Sequence, residues 1–154
     1  IARVKLSTRI TGVKFEIGMT DAVNDDGAVA VKSTPTFTAT DCALFVLDTT
    51  DDAEVTFVSN GGTTDANSDA TDLTLVNDTY FVVEIVCKGP TDTTGDNTAG
   101  YLNGRLIGSG NINGASPLTI WAYVEDLATS AATSFDVDYW GCVGPKPAQW
   151  GVST

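Results

Sequence analysis

Histidine is missing from this chain, and several other residue types are scarce: its 154 residues include three cysteines, one methionine, four glutamates and eight lysines and arginines. Without histidine, Ser-His-Asp and Cys-His nucleophile systems are excluded, and a zinc site loses its usual nitrogen ligand. Cys42, Cys87 and Cys142 each fall in an apolar run and lack metal-ligand spacing. They read as free buried thiols, rather than a disulfide with one thiol left over, and so fit folding in a reducing cytoplasm. No apolar run approaches the ~20 residues of a membrane helix, and no signal-peptide pattern opens the sequence. Twenty acids against eight bases give a net charge of −12, which repels phosphate backbones and anionic lipid surfaces. The expected partners therefore include neither nucleic acid nor membrane.

What is present is a succession of strands. Ala2, Val4 and Leu6 alternate with Arg3, Lys5 and Ser7; Val13, Phe15, Ile17 and Met19 alternate with Lys14, Glu16 and Gly18. Both stretches have the period of half-buried strands, and Thr11-Gly12 between them predicts that they are neighbours. Pro35 makes residues 33–40 an edge or a long connection. Residues 42–48 are almost continuously apolar, as in a strand covered on both faces or one near the sheet centre. The stretch 60–72 holds no large apolar side chain and reads as an exposed loop.

Residues 80–88 form the longest strong strand, with Phe81, Val83, Ile85 and Cys87 facing inward. Asn103-Gly104 is a hairpin turn joining 99–103 to 105–109. Residues 118–125 and 135–142 alternate again, while 127–133 reaches at most one helical turn. Pro145 and Pro147 bar the last residues from a sheet interior, and Trp150 there needs something to pack against. The chain thus reads as one all-β domain over residues 1–143, a two-sheet antiparallel sandwich of eight to eleven strands, with a Pro-containing tail at 144–154.

Three passages carry a family likeness: Lys14-Phe15-Glu16-Ile17-Gly18-Met19-Thr20-Asp21, Tyr101-Leu102-Asn103-Gly104-Arg105-Leu106-Ile107-Gly108, and Phe135-Asp136-Val137-Asp138-Tyr139-Trp140. Their order resembles the concanavalin A-like (laminin G-like) jelly roll. In an acidic, Thr-rich chain it is similar to domains of tailed-bacteriophage capsid decoration and fibre proteins. The resemblance implies a non-enzymatic virion component, made in the host cytoplasm and displayed on the virion surface. Its partners would be capsid or other virion proteins, and its form a homo-oligomer, a trimer by analogy. The alternative is a lectin-like carbohydrate-binding module or receptor-binding tip.

The residues bear on both readings. The glycoside hydrolases of this superfamily need paired carboxyls, usually as Glu-x-Asp-x-x-Glu on one strand. None of Glu16, Glu54, Glu84 and Glu125 starts that pattern, so no catalytic residue is assigned. Asp136 and Asp138 read as solvated strand acids. If Leu118, Ile120, Ala122 and Val124 face the core, Trp121 and Tyr123 point the other way, and Asp136, Asp138 and Trp140 share an outward face on their own strand. Trp121, Tyr123, Trp140 and Trp150 are therefore the ligand or interface candidates, unless a loop or the tail covers them. No cofactor is required. Asp25, Asp26, Asp51 and Asp52 are the candidate oxygen ligands should calcium bind, as it does elsewhere in this fold, although turn chemistry accounts for aspartates at such places.

Overall fold

The computed structural model describes residues 1–7, 10–61, 67–88, 95–113, 117–128 and 132–143, with the backbone alone for 67–73. Within them the chain forms twelve strands: β1 (Ala2–Leu6), β2 (Val13–Thr20), β3 (Val29–Val31), β4 (Thr36–Phe37), β5 (Asp41–Asp48), β6 (Glu54–Gly61), β7 (Asn67–Thr74), β8 (Phe81–Cys87), β9 (Thr98–Leu102), β10 (Arg105–Gly110), β11 (Thr119–Asp126) and β12 (Phe135–Trp140). Two five-stranded antiparallel sheets, ordered β10-β9-β8-β1-β12 and β11-β2-β5-β6-β7, stack as a sandwich consistent with a jelly roll. No helix occurs among the described residues.

The core follows from the alternation. Ala2, Val4 and Leu6 of β1 meet Val13, Phe15 and Ile17 of β2 across the gap between the sheets, joined by Phe45, Leu47, Phe57, Phe81 and Val83. Phe15 sits edge-on to both Phe81 and Phe135, at ring separations of 6.0 and 5.6 Å. Each such side chain contributes about 1.5–3 kcal/mol on full burial. Gly100 of β9 lies directly against Phe57; a Cβ there would come within 2.3 Å of that ring.

β1 and β2 are not neighbours, contrary to the expectation from the Thr11-Gly12 turn. β1 lies between β8 and β12 in the first sheet, and β2 lies between β5 and β11 in the second. Alternation fixes which face of a strand is buried but leaves its lateral partner open, and here the connection crosses the sandwich instead of turning a hairpin. Residues 60–72 are also not simply a loop, since β6 runs to Gly61 and β7 begins at Asn67. A polar strand at a sheet edge gives no apolar signal.

Residues 33–40 enter a strap spanning residues 21–40, which includes the β3–β4 hairpin and lies over the outer face of the second sheet. Between strap and sheet lies a second apolar cluster, with Ala28, Val29 and Ala39 from the strap and Cys42, Leu44, Val46 and Val58 from the sheet. This cover explains why all eight residues of β5 are buried. Cys42 alone of the three cysteines is buried; Cys87 and Cys142 lie near strand ends and are exposed.

Candidate functional site

The strap is pinned at three points. At its start, the Asp21 carboxylate accepts from the Thr40 and Asp41 amides, both at 3.1 Å. At its far turn, the Asp51 carboxylate accepts from the Lys32 and Ser33 amides, which hold the acid below its ordinary range. The buried Lys32 ammonium meets the Asp52 carboxylate and, at 2.6 Å, the Glu54 carbonyl.

The central point is Glu16. It faces away from the main core on β2, yet its exposure is 0%. Its carboxylate accepts from the amides of Ala28 at 2.8 Å and Val29 at 3.1 Å, and from the indole N–H of Trp121 at 2.9 Å. The Lys14 ammonium stands 3.7 Å from the same carboxylate and donates to the Asp26 carbonyl. A buried carboxylate is tolerated because its lone pairs are met and a counter-charge is at hand.

Trp121 and Tyr123 of β11 belong to this arrangement. Their rings stack at 5.9 Å and 9°, and the Tyr123 hydroxyl lies 2.8 Å from both the Asp25 carbonyl and the Glu125 carboxylate. Burial, and then Glu125, push the phenol of Tyr123 well above its usual pKa. Both aromatics point outward from the sandwich core, as their alternation predicts, but onto the strap. Glu16 and Lys14 were not among the sequence candidates. The available signal was indirect: a β5 apolar on both faces requires a cover on its second face, and that cover extends over its neighbour β2.

Trp140 is elsewhere. β12 carries one extra residue, Asp138, opposite the Arg3/Val4 step of β1, so that Val137 pairs with Val4 and Trp140 with Ala2. Cross-strand partners share a face, so the bulge turns Trp140 to the core side while Asp136 and Asp138 stay outside. The expected common face of Trp140 with those acids is corrected accordingly. Asp138 pairs with Arg3, and Lys5 bridges Asp78 and Asp136; Arg3 also stacks 4.3 Å over Tyr80.

β11 and β12 are outer strands on one flank, as the packing of Phe135 on Phe15 of β2 indicates. Here three core-side residues are exposed: Ile120 at 43%, Val137 at 43% and Trp140 at 37%. Trp150 and the rest of 144–154 lie outside the described residues.

Of the four candidate calcium ligands, Asp51 and Asp52 spend their carboxylates on strap donors, while Asp25 and Asp26 contribute backbone carbonyls to Tyr123 and Lys14. Among the described residues no group of three or more Cys, Asp or Glu is disposed to hold a metal. No family model, no curated protein and no solved structure matches this chain.

Proposed function

We propose that the chain is a non-catalytic structural subunit of a tailed-phage particle, a capsid decoration protein or a head or tail fibre domain, which binds other virion proteins on the particle surface. The observation that carries this reading is the β11–β12 flank, where Ile120, Val137 and Trp140 sit on core-side positions yet are more than a third exposed. Apolar surface of that kind is stabilised when another protein covers it. The acids nearest to a catalytic pair, Asp136 and Asp138, are bonded to Lys5 and Arg3, which supports a non-enzymatic role.

Glycan binding through Trp121 and Tyr123 is the weaker reading. Sugar stacking needs a free ring face and open polar groups, whereas the Trp121 N–H is held by Glu16 and the two rings stack on each other.

The test is peptide mapping of density-purified particles from the producing cells, paired with a glycan array. The chain is expected in the particles at a fixed ratio to the capsid protein, with a silent array. Its absence from particles, or glycan binding abolished by Trp121→Ala in a folded protein, overturns the proposal.

A further inference from the structure

The four outer strands of the two sheets are β10 and β12 in the first and β11 and β7 in the second. An unpaired strand edge invites pairing with another chain, and bulges and charges on the edge oppose it. β10 carries an extra residue at Ile107 and β12 one at Asp138, and β7 sets three residues, 71–73, against Val55 of β6. β11 differs: it pairs with β2 over all eight residues without a register shift. It contains no Lys, Arg or Pro, and its two acids, Glu125 and Asp126, stand at its end.

We propose that β11 pairs antiparallel with β11 of a second copy of this chain about a two-fold axis near Ala122, fusing the two strap-covered sheets into one. This specifies a homotypic contact within the assembly reading above and rests on it. A two-fold interface must be self-complementary. The segment Ile120-Trp121-Ala122-Tyr123-Val124 reads apolar, aromatic, small, aromatic, apolar about its centre. In the antiparallel pair, Trp121 comes opposite Tyr123 of the second copy, and the half-exposed Ile120 opposite its Val124.

Charge favours the same arrangement. A chain of net charge −12 meets less repulsion from its copy where like charge is locally absent. Antiparallel pairing about Ala122 sends the two Glu125 side chains to opposite ends, roughly 20 Å apart at ~3.4 Å per residue. That is more than two Debye lengths of ~8 Å at physiological salt. The Glu16 and strap contacts hold Trp121 and Tyr123 in place before association, so little side-chain freedom is lost.

The full chain is examined by sedimentation equilibrium and amide hydrogen exchange over a range of concentrations, with Ile120→Lys and Ile120→Val. The expected result is twice the chain mass at high concentration. Alternate β11 amides, those pointing away from β2, should exchange about tenfold more slowly there than on dilution. Ile120→Lys should restore a folded monomer and fast exchange, and Ile120→Val should leave both as in the parent. A monomer at every concentration overturns the pairing, even if the chain is found in particles, where the broader reading survives. So does an oligomer with unchanged β11 exchange, or a monomer whose outward β11 amides stay protected at every dilution, since then the chain covers its own edge.

Discussion

The indole N–H of Trp121 on β11 donates to the carboxylate of Glu16 on β2, 2.9 Å away, and the same carboxylate receives two strap amides. An aromatic that the alternation turns away from the core is thereby tied to a buried acid that the alternation also turns away. The second sheet consequently has two packed faces, and its outer aromatics are part of the strap's anchorage.

Glu16→Gln keeps the shape but replaces one acceptor oxygen with an N–H donor facing other donors, and strips Lys14 of its buried counter-charge. A loss of roughly 3 kcal/mol is expected, or a Tm lower by about 6–12 °C for a chain of this size. Thermal unfolding followed by circular dichroism checks it. Trp121→Phe should retain the ring stack and lose about half as much.

Gly27 has φ +79°, and a Cβ there would lie 2.6 Å from Oε1 of Glu16. Gly27→Ala combines a left-handed alanine with a clash at the clamp and should cost about 2 kcal/mol or more. Limited proteolysis should then cut within residues 21–40 earlier than in the parent chain.

Thiol chemistry should separate the cysteines. Burial, reinforced by the charges of Glu16, Asp21 and Asp41, pushes the Cys42 thiol far above its usual pKa. Cys87 is exposed at its strand end, but partial desolvation of its sulfur by neighbouring side chains raises it as well, with the Thr98 hydroxyl opposing. Alkylation at mildly alkaline pH should modify the exposed Cys142 first and Cys87 more slowly, and reach Cys42 only on unfolding. Peptide mass mapping over time reads the order.

Asp51 shapes the acid limb of stability. Its folded pKa is depressed by the Ser33 amide and then the Lys32 amide, so the folded state binds fewer protons than the unfolded one across that interval. The contribution is fully present above the ordinary carboxylate range and is lost as pH falls through the depressed value. Asp51→Asn should flatten the fall in Tm below about pH 4 relative to the parent.

Strand positions were largely legible because period two marks a half-buried strand, as in β1 and β2, and Asn103-Gly104 marks the β9–β10 turn with Asn103 at φ 51°. The doubly apolar β5 correctly indicated two covered faces. What alternation leaves out is lateral order, so the crossing of β1 and β2 between sheets stayed hidden. It also assumes an unbroken register, and the extra Asp138 in β12 reversed Trp140. The candidate site was legible at Trp121 and Tyr123 as outward aromatics, but not in what they meet. Glu16 and Lys14 read as solvent-facing, because a covering strap is a tertiary feature that local patterns do not encode.

The central claim is that the β11–β12 flank, and not the strap-covered face, meets the partner. Hydroxyl-radical footprinting of Trp140 and Trp121 in the free chain and in purified particles tests it most directly. The account predicts that Trp140 is oxidised in the free chain, kept at a concentration where β11 is already paired with its copy, and protected in the particle, while Trp121 reacts alike in both. Unchanged Trp140 together with protected Trp121 would contradict it.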